Sequence, residues 1–420
     1  MRPIIKSFDE HVGSEDMGSL FFDADGDGDQ DLYVVSGGNE YEEGTKFYND
    51  RLYINEGRNL VHSKNAIPQI PISGSCVKAA DYDKDGDLDL FVGGRLVPYK
   101  YPFAPNSLLL ENEGGSFKEV SKEKAPGFEK LGMVTDATWL DFDKDGDQDL
   151  VVVGEWMPVT VFVNENGKLE NRTAQFGLED SKGWWNCVEQ ADIDGDGDLD
   201  LIAGNLGENY KYQASKEEPF HVYAGDVDKN GRSDIILGQY NQNTLFPVRG
   251  LQCSSEQIPE LAEKFPTYHE FGKATLPEVY GEQLDELFHL EVSTFASSII
   301  VNNGSSFEVK PLDRYAQISP VNNVVIDDVN NDNKLDLILA GNLYASEVET
   351  GRADSGIGLV MLGDGLGQFS PKFGIASGLL LDKDVRDFEV INSGNERYLF
   401  VANNNEEMEV LQFTSQKLSQ

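Results

Sequence analysis

Cysteine is nearly missing from this chain. Cys76, Cys187 and Cys253 are three in 420 residues, an odd and widely spaced set that makes neither a disulfide framework nor a zinc motif. They read as small buried apolar side chains. Histidine is almost as scarce. His11, His62, His221, His269 and His289 fall in no nucleophile–base or metal-hydrolase motif and read as ordinary surface or packed residues. No apolar run approaches 18 residues, so no transmembrane helix is expected. Positive charge is also short: 34 Lys and Arg face 74 Asp and Glu, for a net charge of −40. Such a field opposes a phosphate backbone and makes nucleic acid a poor partner. The N-terminal Met1-Arg-Pro-Ile-Ile-Lys6 lacks the apolar core of an export signal.

Aspartate and glycine are abundant, and they are organised. Six nonapeptides repeat one pattern. Four place carboxylates at positions 1, 3, 5, 7 and 9: Asp23, Asp25, Asp27, Asp29 and Asp31; Asp81, Asp83, Asp85, Asp87 and Asp89; Asp141, Asp143, Asp145, Asp147 and Asp149; Asp192, Asp194, Asp196, Asp198 and Asp200. The fifth has Asp226, Asp228, Asn230, Arg232 and Asp234, and the sixth Asp328, Asn330, Asp332, Lys334 and Asp336. Oxygens at alternate positions of a tight loop can converge on one point and suit a hard cation that takes six to eight oxygen ligands, Ca²⁺. Position 6 is Gly28, Gly86, Gly146, Gly197, Gly231 or Asn333, residues that tolerate a left-handed backbone. Position 7 would offer its carbonyl, which accommodates Arg232 and Lys334. About five to six Ca²⁺ ions are expected. Six would bring the charge from −40 to −28.

An EF-hand needs a bidentate Glu at position 12 and flanking helices. Position 12 here is Val34, Val92, Val152, Ala203, Leu237 or Leu339, none of which can ligate. The segments after position 9, such as Leu150-Val-Val-Val153, are short and apolar and end near Gly; they read as buried strands. The loops begin at 23, 81, 141, 192, 226 and 328, and a degenerate seventh unit surrounds Asp387. Spacing near 50–60 residues, with glycine turns such as Asn112-Glu-Gly114 and Asn166-Gly167, predicts an all-β fold. The expected architecture is a single β-propeller over 1–420, with seven four-stranded blades or alternatively six. Two places break the rhythm. There is no room for an outer hairpin between Gly204 and Pro219, and a helical insertion is expected over 239–295. The insertion is read as lying inside the fifth blade.

The loops followed by Leu-x-Val-x-Gly resemble the FG-GAP/VCBS repeat family of integrin-like calcium propellers. The segments Gly93–Pro102, Gly154-Glu-Trp-Met-Pro158, Gly183-Trp-Trp-Asn186, Gly204-Asn-Leu-Gly207 and Ala340–Tyr344 look like those of the bacterial ASPIC/UnbV, cartilage-acidic-protein-like group. The resemblance implies a secreted or surface-exposed binding module and calcium at the six loops, but not at Asp387. Calcium loops of this kind need roughly micromolar to millimolar Ca²⁺. An extracytoplasmic location is therefore expected, with the export signal missing from this chain and the chain a fragment of a longer one.

If each acidic loop joins a blade's first two strands, the second strand ends on the opposite face. Asn39, Arg95, Glu155, Trp156, Asn205, Tyr240 and Asn342 lie at those ends, and Trp184 and Trp185 at the entry to the fourth blade. Such side chains can hydrogen-bond and stack on a sugar. The expected function is a calcium-stabilised adhesion module for carbohydrate or a cell-surface protein. The alternative is a polysaccharide lyase or hydrolase using His289, Lys264 or Glu155 as base. No catalytic residue is otherwise assigned.

Overall fold

The computed structural model describes residues 6–57, 59–346 and 349–414; the signal-poor segment 1–5 lies outside them. The fold is all-β with little helix, and seven antiparallel sheets occur among the described residues. The first repeat shows the plan. Strand Glu15–Phe22 enters the first acidic loop, Asp31–Gly37 leaves it, and the hairpin Arg51–Asn55 and Leu60–His62 completes a sheet in chain order. The second sheet repeats this with Gly74–Ala80, Asp89–Gly94, Leu108–Asn112 and Phe117–Glu119. In the third, Met133–Leu140 pairs with Asp149–Met157, which pairs with Thr160–Asn164, which pairs with Leu169–Asn171.

The chain divides into two compact units: Met1–Glu179, Trp185–Ala203 and Ile299–Lys310 in one, Asp180–Trp184, Gly204–Ser298 and Pro311–Gln420 in the other. In the first unit, strand alternation explains the continuous apolar runs. Successive side chains point to opposite faces, and both faces are covered. Leu90 and Val92 join Tyr33, Val35 and Leu52 in one core, while Phe91 between them joins Leu109, Val134 and Phe128 in the next. Likewise Leu150 and Val152 face back toward Phe91, and Val151 and Val153 face forward to Val188, Leu201 and Ile300. The first strands of these sheets, Glu15–Phe22, Gly74–Ala80, Met133–Leu140 and Cys187–Ala191, are neighbours in that order.

The fourth sheet departs from the plan. Cys187–Ala191 and Asp200–Gly204 are completed by Ser298–Asn302 and Phe307–Pro311. The outer hairpin that does not fit after Gly204 is supplied about a hundred residues later, so the Asn303-Gly304 turn belongs to the fourth repeat. The intervening chain builds the fifth sheet, in the order Phe288–Val292, Phe220–Gly225, Asp234–Asn241, Thr244–Pro247. Its acidic loop therefore joins the two central strands. Short helices between Leu251 and Glu286 pack on this sheet through Leu276, Val279 and Ile236. Thr275 and Glu278 form a reciprocal capping box at one of them.

The sixth sheet (Asn323–Asp327, Asp336–Ala340, Leu359–Gly363, Phe369–Lys372) returns to chain order, and the seventh has Val385–Ser393, Glu396–Asn403 and Glu409–Gln412. They share a core of Ile338, Val360, Phe388 and Val401. In the seventh, a tight turn at Gly394 replaces the acidic loop. No helix among the described residues is long and apolar enough to cross a membrane.

Candidate functional site

In all six acidic loops, position 1 follows the end of one strand and position 9 opens the next. Two residues per loop are left-handed. Position 6 is, with φ from 64° at Asn333 to 100° at Gly86, and so is position 4: Gly26, Lys84, Lys144, Gly195, Lys229 and Asn331. The double twist turns the loop's N–H groups inward. In loops one, four, five and six position 1 accepts two of them, as Asp23 does from Gly26 (2.8 Å) and Gly28 (3.0 Å), and as Asp192 does from Gly195 (2.8 Å) and Gly197 (3.1 Å). Position 5 accepts the N–H of position 7 in all six loops, at 2.8–3.0 Å.

The remaining oxygens crowd together. Carboxylate oxygens of Asp23, Asp25 and Asp27, of Asp81, Asp83 and Asp85, of Asp141, Asp143 and Asp149, and of Asp192, Asp194 and Asp200 lie within 4.8 Å of one another in each set. Oδ1 of Asp81 and of Asp141 is buried and lacks a hydrogen-bond partner among the described residues. Converging, partly desolvated carboxylate oxygens with unused lone pairs fit a hard dication and no softer one. Bound there, Ca²⁺ would neutralise charges that otherwise repel at close range.

Position 9 has a second task. In loops one, three, four and six its Oδ2 accepts the N–H of position 2 and its Oδ1 the N–H at the end of the third strand. For Asp31 these come from Ala24 (2.8 Å) and Asn55 (2.7 Å), and for Asp336 from Val329 (3.1 Å) and Gly363 (2.9 Å). One carboxylate thus ties loop, second strand and third strand. Burial pushes Asp89 and Asp149 up to about 7 and Asp200 up to about 6, and it also raises Asp25, Asp143, Asp234 and Asp336.

Position 7 side chains turn elsewhere. Asp147 pairs with Lys84 and Asp198 with Lys144, each lysine coming from position 4 of the preceding loop. Asp87 Oδ2 accepts from Gly114 N–H at 2.8 Å. Arg232 and Lys334 can contribute only a carbonyl, as their chemistry requires.

Asn112, expected only to open a glycine turn, ends the third strand of its sheet and joins neighbouring repeats, as do Asn164 and Asn302 at the same place. Asn164 Nδ2 donates to Gln148 O (3.1 Å) in its own loop and to Tyr82 O (2.7 Å) in the preceding one, and its Oδ1 accepts from Gly167 N–H (2.8 Å). Asn112 makes the same bonds to Leu88 O (3.2 Å), Ala24 O (2.9 Å) and Gly115 N–H (2.8 Å). Asn302 makes them to Leu199 O (3.3 Å), Phe142 O (3.3 Å) and Gly304 N–H (2.9 Å). Their recurrence at one place in each repeat was the available signal.

Residues 23–92 and 141–203 match the FG-GAP-like repeat family. The matched stretches hold the first four acidic loops; the fifth and sixth lie outside them. No curated protein matches the chain. Among solved structures, the crystal structure of the V. cholerae biofilm matrix protein Bap1 aligns over 93% of this chain and 85% of that one, at 11% identity and a TM-score of 0.31, too low to bear on fold or function.

At the end of the first unit's second strands that lies away from the acidic loops, several expected ligand residues meet. Arg95 pairs with Glu155 at 2.5 Å, Trp156 Nε1–H donates to Tyr101 Oη at 2.5 Å, and Tyr101 Oη lies 3.4 Å from Glu155 Oε2. Arg95 Nη1 is buried with no hydrogen-bond partner among the described residues. Asn39 accepts from Tyr99 N–H at 2.7 Å, and Tyr99 is 58% exposed. Trp156 itself is buried and left-handed, with φ 61°.

Three other expected ligand residues face inward. Trp185 is fully buried with Val151, Val188 and Leu201. Buried Asn205 accepts from Trp184 and Leu206 N–H (3.2 and 2.8 Å), and buried Asn342 bonds Ser319, Gly356 and Lys383. Their amides satisfy irregular backbone that would otherwise be buried unpaired, which leaves them no free edge. Trp184 packs edge-on against Tyr212, Phe220 and Phe295. Tyr240 is half-buried near His221, with ring centroids 5.8 Å apart. Of the possible bases, Lys264 donates to Glu278 O and Val279 O, each at 2.8 Å, and Glu155 is held by Arg95. Cys76 and Cys187 are buried, whereas Cys253 is only half-buried.

Proposed function

We propose that this chain is a calcium-stabilised β-propeller of seven blades that serves as an extracytoplasmic binding module for carbohydrate or protein. The observation that carries the reading is the convergence of carboxylate oxygens at positions 1, 3 and 5 or 9, repeated loop after loop. One ion per repeat is what a fold element needs, while a catalytic ion is unique and keeps an open position. Neighbouring first strands and cores shared by successive sheets support the propeller arrangement. About five to six ions would be held by positions 1, 3, 5 and 9 with the position 7 carbonyl. The ligand surface lies at the Arg95–Glu155–Tyr101 cluster and exposed Tyr99, which offer a charged hydrogen-bonding pair and an aromatic face.

Calcium titration of the chelator-treated chain tests the reading. At a hundredfold excess over Kd each ion adds about 2.7 kcal/mol to the folded state, so the melting temperature should climb steeply with Ca²⁺ and the change should shrink in Asp83→Ala/Asp85→Ala. A melting temperature indifferent to Ca²⁺ would overturn the metal assignment.

A further inference from the structure

Four of the five histidines, unremarkable in sequence, stand in two pairs: His11 Nε2 lies 3.2 Å from His62 Nδ1, and His221 Nδ1 lies 2.9 Å from His289 Nε2. The second pair has a carboxylate beside it. In the fifth sheet, strands Phe220–Gly225 and Phe288–Val292 pair with His221 opposite Glu291 and Tyr223 opposite His289. Alternation puts all four on one face. One ligand atom each from His221, His289 and Glu291 lies within 4.8 Å of the other two. Tyr223 stacks on His289 with centroids 4.4 Å apart at 16°, which fixes the plane of the outer imidazole.

We propose that His221, His289 and Glu291 form a binding site for a divalent transition metal of the zinc class, distinct in chemistry from the acidic loops. Two imidazole nitrogens and one carboxylate are borderline donors that select Zn²⁺ or its neighbours, whereas the loops offer oxygen only. Nitrogens bound at about 2.0–2.1 Å and 2.9 Å apart subtend roughly 90° at the ion. Opening to a tetrahedral angle needs only about 0.4 Å of separation. His289 can supply that, because it is exposed, while His221 is buried and fixed. In the metal-free chain one ring N–H is placed to bridge the two imidazoles; when the ion binds, that ring takes its other tautomer, its proton moving to the second ring nitrogen, and both facing nitrogens become ligands. The exposed side of His289 leaves a position open for water or an anionic ligand, as three-residue zinc sites do.

One feature opposes the ion. Lys182 Nζ lies 2.8 Å from Glu291 Oε1, so a cation must share the carboxylate with an ammonium or displace it. Lys182 is partly exposed and can swing away. Its replacement should therefore tighten binding, which no role in simple packing would produce.

The test uses the full chain saturated with Ca²⁺, titrated with Zn²⁺ by calorimetry and with Co²⁺ by visible absorption. One ion should bind with intense low-coordinate Co²⁺ bands. His289→Ala, at an exposed position, should abolish that ion, Glu291→Gln should weaken it about tenfold or more, and Lys182→Met should strengthen it. His62→Ala and Asp83→Asn should leave it unchanged. Binding that survives His289→Ala, or that is lost equally in His62→Ala, would overturn the proposal. So would Zn²⁺ binding that Ca²⁺ competes away.

Discussion

Replacing Asn164 by Ala should cost far more than the loss of one turn residue. The side chain is 1% exposed, so water cannot readily take its place. Its removal leaves Tyr82 O, Gln148 O and Gly167 N–H without the partners they have at 2.7, 3.1 and 2.8 Å. A buried group left unpaired costs about 1–3 kcal/mol. With partial relaxation the sum comes to about 3 kcal/mol, which is large for one substitution. Asn55 holds the equivalent place in the first repeat, half-buried, and donates to Gln30 O at 3.2 Å near solvent. Because solvent can reach its site, Asn55→Ala should cost clearly less than Asn164→Ala. Asn164→Asp sharpens the comparison. It keeps the acceptor for Gly167 but turns a carboxylate toward two carbonyl oxygens, so it should lose at least as much as Ala. Guanidinium unfolding in excess Ca²⁺, read as the midpoint of the first transition because a chain of two units need not melt in one step, measures the series. Equal midpoints for Asn55→Ala and Asn164→Ala, or an Asn164→Asp protein as stable as the parent, would refute the role of the side chain in joining repeats.

In chelator, stability should rise on acidification. The Asp89 and Asp149 carboxyls titrate near 7 when folded against 3.8 otherwise, so the folded chain holds extra protons and loses stability as pH climbs from about 4 to about 7. Differential scanning calorimetry should show a larger Ca²⁺-dependent gain at pH 7.5 than at pH 5, and a gain that does not change with pH would be contrary. Arg95→Ala should strip Glu155 of its partner and expose the ligand surface to testing: a glycan array should lose binding while the Ca²⁺-dependent melting remains, and undiminished binding would move the surface elsewhere.

The acidic loops were legible because all their carboxylates sit within nine residues and position 6 demands a left-handed backbone. The strands after them were legible because a run such as Leu150–Val153 is buried on both faces. What was not legible depends on partners far away in sequence. Asn164 and Tyr82 are 82 residues apart, and nothing local separates a joining asparagine from an ordinary turn residue. Position 4 escaped notice because Lys84 and Lys144 are not residues that advertise positive φ. Asn205 and Asn342 follow glycine at strand ends, where an exposed ring and a buried backbone bracket present the same residue type. The histidine pair was hidden by strand register, since His221 and His289 meet only through the pairing of strands that the helical segment separates. The intervals between loops counted repeats without showing that one lies nested within another.

That nesting has a consequence for biosynthesis. Strands Asp200–Gly204 and Ser298–Asn302 are neighbours in the fourth sheet, yet everything between them must emerge from the ribosome before they can meet. A nascent chain stalled at residue 290 would carry three finished sheets and a fourth with half its strands, its apolar Leu201 and Ala203 still waiting for Ile300 and Phe307. Closing so long a loop costs little more entropy than closing a short one, but it delays the moment at which that surface is covered. The nested sheet thus makes the first unit's completion a late event in translation and leaves an interval in which a chaperone, or an aggregating neighbour, can find an open strand edge.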